Sequence, residues 1–145
     1  MSNPEKTVIP EEILKDSVLA HLAAAYFSVS KQLERRTGCT QTRGFILSTL
    51  RGGAERNQNQ IAKLLGFDRT VVHRAIGTMV KEGLVSKTRS GGRSFAIRLT
   101  PKGEEYRENL IRERRAADAK IAMMLKRQER AELMRLLKAV VEIEL

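Results

Sequence analysis

The stretch Asn57-Gln58-Asn59-Gln60-Ile61-Ala62-Lys63-Leu64-Leu65-Gly66-Phe67-Asp68-Arg69-Thr70-Val71-Val72-His73-Arg74 decides the fold. Asn57 followed three residues later by Gln60 is a capping box. The cap side chain takes one orphan amide, and the Gln side chain returns to the cap's own amide. This predicts a short helix to Leu65. Gly66 breaks it, because glycine enters the left-handed region without steric cost. Asp68 then caps a second helix that runs to about Glu82 and is stopped by Gly83. Ala62, Gly66 and Val72 complete a helix-turn-helix pattern. The small Ala62 lets the two helices cross closely, and Val72 packs into the corner with Ile61, Leu65, Ile76 and Met79. Val72, Ile76, Met79 and Val80 are expected to face inward. Arg69, Thr70, Val71, His73, Arg74 and Gly77 are left on opposite or flanking faces.

Downstream, residues 85–88 and 95–99 read as two short strands. Phe95, Ile97 and Leu99 alternate with Ala96 and Arg98, a period-two pattern with one buried face. Ser90-Gly91-Gly92 makes the hairpin turn between them. Thr100-Pro101 is an N-cap followed by proline at the first helical position. From there Tyr106, Leu110, Ala117, Ile121 and Leu125 form one apolar stripe. Leu133, Leu136, Leu137, Val140 and Val141 form another, after a polar break near Lys126-Arg127-Gln128. Upstream, Glu11 to Arg36 holds no Gly or Pro. Ile13, Leu14, Val18, Leu22, Ala25, Tyr26, Val29 and Leu33 recur there at helical spacing, which predicts a long amphipathic helix ended by Gly38. Thr40 caps a second helix through Leu50 that buries Phe45, Ile46, Thr49 and Leu50, with Gly52-Gly53 ending it.

The expected fold class is mainly α with a small β-hairpin wing. A winged helix-turn-helix DNA-binding lobe covers 40–103. A helical dimerisation region is built from 11–36 and 104–145, and residues 1–10 form a flexible arm with Pro4 and Pro10. The apolar stripes of the terminal helices exceed what a small monomer can cover, so they are expected to interlock with a second copy.

Charge falls on the same segment as the motif. The 145-residue chain carries a net +10. Residues 57–102 hold nine Lys/Arg against Asp68 and Glu82, a net +7. The first 56 residues hold eight against six, and 103–145 hold ten against nine. A basic patch on a helix-turn-helix points to a nucleic acid. The single Cys excludes an internal disulfide and suits a reducing compartment. No apolar run is long enough to span a bilayer and no signal peptide is visible, so the expected location is cytoplasmic and no membrane partner is expected.

The start of the second helix is expected to enter a major groove. Arg69 and Arg74 can donate to guanine edges or phosphates, Thr70 can bond to either, and Val71 can meet a thymine methyl. His73 faces DNA in this reading. Gln58 can hold a phosphate beside the orphan amides of the first helix. Arg89 and Arg93 stand at the Gly-rich wing tip, shaped to reach a narrow minor groove. Lys87 is read as a phosphate contact or plain solvation, a choice left open for Arg89 as well. Arg98 reads as a solvated strand face.

Asp68-Arg69-Thr70-Val71-Val72-His73-Arg74, then Glu82-Gly83-Leu84-Val85, then Arg93 leading to Ile97-Arg98-Leu99-Thr100-Pro101-Lys102-Gly103, together resemble the MarR family of bacterial winged-helix regulators. The resemblance covers nearly the whole chain. It implies a homodimer, a palindromic operator bound as double-stranded DNA, often a small-molecule inducer, and a repressor more than an activator. One departure stands out. The family's wing usually has an Asp two residues before the Arg that matches Arg93, and Gly91 occupies that place here. Arg93 is therefore less well fixed than the recognition helix.

Other residues take plainer readings. Tyr26, Phe27, Phe45 and Phe67, with Arg43, are candidates to line an inducer pocket, although ordinary core is the favoured reading. Cys39, near a helix N-terminus, is a candidate redox site, with an inert loop cysteine favoured because no second Cys can resolve an oxidised one. His21 reads as a partly buried helix residue. Arg112-Glu113-Arg114-Arg115 reads as a solvated face. No metal-ligand spacing, cofactor motif or nucleophile–base constellation is present, so neither an enzyme nor a cofactor is expected. A winged helix that binds protein or RNA instead is the alternative, together with a Cys39 redox-responsive regulator.

Overall fold

The computed structural model describes residues 12, 15–89, 91–92 and 94–144. The arm at 1–10, Ile13, Leu14, Ser90 and Arg93 lie outside the described residues. Among the described residues these elements follow in order: α1 (Val18–Thr37), α2 (Gln41–Thr49), a 3-10 turn (Arg51–Gly53), α3 (Gln58–Leu65), α4 (Arg69–Lys81), β1 (Val85–Arg89), β2 (Phe95–Leu99), α5 (Pro101–Met124) and α6 (Arg127–Val141). Two compact units result, one ending at Leu110 and one beginning at Ile111.

Each helix of the first unit begins on a side chain that captures an orphan amide. Ser17 Oγ accepts from Ala20, Thr40 Oγ1 from Arg43, Asn57 Oδ1 from Gln60 and Asp68 Oδ1 from Thr70. The capping box closes in both directions, since Gln60 Oε1 also accepts from the Asn57 N–H at 2.9 Å. Such caps are worth about 1 kcal/mol each. Gly66 takes φ 65 between α3 and α4, the left-handed turn that the motif requires.

The core of this unit is fully buried Ile46, Leu47 and Leu50 from α2, Ile61 from α3, Val72, Ile76 and Met79 from α4, and Ile97 from β2. Ala62, Leu84, Val85 and Leu110 join them, with Leu65, Phe67, Leu99 and Tyr106 packed at the margin. Each large member contributes about 1.5–3 kcal/mol by leaving water. The strands pair antiparallel with Val85 opposite Leu99 and Arg89 opposite Phe95. Arg56 adds an isolated bridge to Ile97, its N–H and C=O bonding Ile97 at 3.2 and 2.9 Å. That support matters because a lone two-stranded hairpin is marginal in water.

Thr100 ties wing to helix. Its hydroxyl donates to the Gly83 carbonyl at 2.6 Å and accepts from the Gly103 N–H at 3.0 Å. Gly103 is buried there by contact. A Cβ at this position would stand 1.9 Å from the Leu84 carbonyl oxygen.

Several expectations fail. The helix expected from Glu11 to Arg36 is not continuous: Glu12 is helical, but Lys15 and Asp16 form a turn with Asp16 at φ 57, and α1 starts at Val18. An aspartate tolerates that left-handed position better than most side chains, and Ser17 then starts the helix. Phe45, expected inside, is exposed, and Leu47 is buried instead. Val80 is exposed, being one residue past Met79 and so turned about 100° from it. The strand alternation breaks as well. Phe95 is exposed toward the wing tip beneath the Lys87 ammonium at 4.5 Å, while Ala96 is buried beside Ile97.

The second unit holds the C-terminal part of α5 and α6. The Lys126 N–H donates to Glu129 Oε2 at 2.7 Å at the start of α6. No described residue beyond Leu110 is buried.

Candidate nucleic-acid interface

Helix α4 presents two chemically opposite faces. Val72, Ile76 and Met79 are buried, while Arg69, Thr70, Val71, His73, Arg74, Gly77 and Lys81 are exposed. The difference follows from spacing alone, since residues four and seven apart share a helix face. Neither the Arg69 nor the Arg74 guanidinium forms an ion pair among the described residues, so both keep their charge for a ligand.

The N-cap fixes the first turn of this helix. Hydrogen bonds from Thr70, backbone first and side chain second, hold the Asp68 carboxyl below its ordinary pKa. Asp68 is therefore ionised at neutral pH and engaged with its own helix.

Gln58 and His73 connect the two helices of the motif. His73 Nδ1 lies 3.3 Å from Gln58 Oε1. An amide oxygen can only accept, so Nδ1 is the donor in this contact. Both residues were expected at the interface, but a contact between residues fifteen apart left no trace in the sequence.

The wing carries Lys87 and Arg89 on exposed strand positions, and Arg93 lies outside the described residues. Arg98 stands on the exposed face of β2, as expected, and also pairs with Glu55. Glu82 pairs with Arg43, and Lys102 Nζ donates to the Glu82 carbonyl at 2.8 Å. These partners come from distant parts of the chain. They leave the exposed surplus of charge on Lys63, Arg69, Arg74, Lys81, Lys87 and Arg89.

The five candidate pocket residues do not line one cavity. Tyr26 and Phe27 are exposed on α1, edge to face at 5.8 Å. Phe45 and Phe67 meet edge to face at 6.2 Å, but they line separate surface clefts. Arg43, with its side chain 14% exposed, turns toward Glu82. Neither nearness in sequence nor aromatic type determines which side of a helix a ring takes.

Cys39 is buried, with Sγ 3.4 Å from the Thr40 carbonyl oxygen. Tyr106 donates to the Thr37 carbonyl at 3.3 Å, and its hydroxyl pKa is pushed up to about 12, first by desolvation and then by Cys39. His21, expected to be partly buried, is exposed, with Nδ1 2.8 Å from the Ser17 carbonyl oxygen.

Solved structures share this fold at low sequence identity. A probable transcriptional regulator from Pseudomonas aeruginosa is 23% identical, with a TM-score of 0.77 over 88% of this chain and 98% of that one. BpsR from Bordetella bronchiseptica, whose DNA binding is regulated by 6-hydroxynicotinic acid, is 19% identical, with a TM-score of 0.75 over 88% and 96%. A mutant MarR from E. coli complexed with operator DNA is 20% identical, with a TM-score of 0.72 over 90% and 96%. No functionally curated protein matches the chain. The MarR family model matches residues 37–94, which run from the end of α1 into the wing. The helix-turn-helix and the first strand of the wing lie inside that match, so this segment of the chain is similar to the MarR family of winged helix-turn-helix regulators.

Proposed function

We propose that this chain is a sequence-specific double-stranded DNA-binding regulator, acting in the cytoplasm as a homodimeric repressor on a palindromic operator. The observation that carries this reading is the exposed, unpaired basic face of α4 opposite a fully packed apolar one. Arg69, Thr70, Val71 and Arg74 supply donors and a methyl contact for base edges, with Gln58 and His73 at the flank and Arg89 and Arg93 on the wing.

Dimerisation is supported by apolar side chains that one chain leaves in water, among them Leu19 and Phe27 on α1 and Met134, Leu136 and Val141 on α6. A two-fold axis would set the paired recognition helices about one DNA turn, ~34 Å, apart. Induction by a small molecule is proposed on the likeness to BpsR alone. A redox role for Cys39 is less supported, since the thiol is buried and the chain has no second cysteine.

Gel-shift titration against duplex selected from a random pool tests the reading. Affinity for the selected duplex should survive competitor DNA and fall by about 10³ or more between 50 and 200 mM salt. Arg74→Ala should weaken binding by about tenfold or more with unchanged sedimentation. Equal competition by selected and random duplex would sink the sequence-specific reading. Preferential binding to RNA, or to protein alone, would replace it with another winged-helix role.

A further inference from the structure

Gly77 has no reason inside this protein to be a glycine. It lies within α4 on ordinary helical backbone, apart from the glycines at positive φ. A Cβ added to it would meet nothing within 4 Å. Glycine is the poorest helix former after proline, so alanine here would favour the fold. Gly103 makes the contrast plain, for there a Cβ would strike a backbone carbonyl.

The position of Gly77 supplies what its packing does not. Thr70, Arg74, Gly77 and Lys81 follow at helical spacing and share the face turned away from Val72, Ile76 and Met79. All four are exposed. From Thr70 to Lys81 this face runs about 16 Å along the axis. Arg74 stands one turn before the glycine and Lys81 one turn after it. A bare stretch of backbone between two cations is shaped for a polyanionic strand that lies close against the helix. A side chain there would hold such a strand off by its own thickness.

We infer that Gly77 is the point at which a DNA strand rests directly on the backbone of α4, with Arg74 and Lys81 flanking its phosphates. The interface then runs the length of α4 and does not stop at Arg74. This rests on the DNA-binding reading proposed above.

Gly77→Ala and Gly77→Gln in the full-length protein test it, with melting and affinity for the selected duplex measured side by side. Alanine should raise the Tm by about 2–4 °C and weaken binding by about tenfold, and glutamine should weaken it further. A variant that melts higher and binds as tightly as wild type overturns the inference. So does an alanine variant that melts lower, because the space beside Gly77 would then be filled. If wild-type protein binds no duplex at all, the DNA-binding reading itself fails and the inference with it. That outcome is separate, because it appears before any substitution is made.

Discussion

The segment from α2 to Leu110 and the helices beyond it contain the same kinds of apolar side chain and treat most of them oppositely. In the lobe, Ile46, Leu47, Leu50, Ile61, Val72, Ile76, Met79 and Ile97 are sealed from water within one chain. Beyond Leu110, Met123 is 86% exposed and Val141 84%. Both regions are amphipathic and both are helical. The lobe closes because its short helices are turned sharply by Gly66 and Gly83 into a shared corner, with a wing to seal one side. The second unit has two helices and no third element to close over their stripes. Local pattern therefore makes a helix, while burial depends on what the turns bring opposite it.

The sharpest way to break this contrast is to open the lobe from within. Gly103→Ala drives a Cβ into the Leu84 carbonyl, and neither backbone can yield easily. We expect a loss of about 3 kcal/mol or more, read as a large fall in Tm or as protein that does not fold. Near wild-type melting would show that the lobe is looser than its burial indicates.

A second test acts on the exposed stripe. Leu136→Glu with Val140→Glu places two charges on one face of α6, four residues apart. In the proposed homodimer these charges would be buried without partners, and the dimer dissociation constant should rise by about a thousandfold. Sedimentation velocity should show wild-type dimer and variant monomer. A monomeric wild type, or a variant that still dimerises, would show that this stripe is covered in another way.

The smallest expected effect concerns Tyr106, at the margin of the core. Its folded pKa of about 12 lies above its unfolded value of 10.0. The folded state thus holds its proton where the unfolded state has lost it. Stability contributed by the neutral hydroxyl is complete below pH 10, falls as the pH rises past it, and is gone above about 12. Tyr106→Phe should flatten the decline in Tm across that window relative to wild type. Parallel declines in both proteins would place the alkaline sensitivity elsewhere.

What could be read in advance was local. The Asn57–Gln60 box, the Asp68 cap, the Gly66 turn and the Thr100-Pro101 start each depend on residues a few positions apart, and each forms as expected. The early turn at Asp16 was local too, but no Gly or Pro marked it. What could not be read was the far side of each contact. Phe45 and Val80 are apolar residues beside the true core positions, and only tertiary packing separates them from Leu47 and Met79. Arg98 meets Glu55 across 43 residues and Arg43 meets Glu82 across 39. The exposed basic face of α4 was legible because its periodicity is short. The grouping of five pocket residues was not, because nothing in their order says which ring turns which way.

The Tyr106 hydroxyl donates to the Thr37 carbonyl across 69 residues of chain. During synthesis the N-terminal side of that bond leaves the ribosome long before the other. The lobe cannot complete its perimeter until both motif helices, the wing and the first turns of α5 have emerged. Closing so long a loop costs little more entropy than closing one half its length, so the delay is one of order and not of energy. The capped helices α3 and α4 rest on short-range bonds, whereas this contact waits on the most distant part of the lobe.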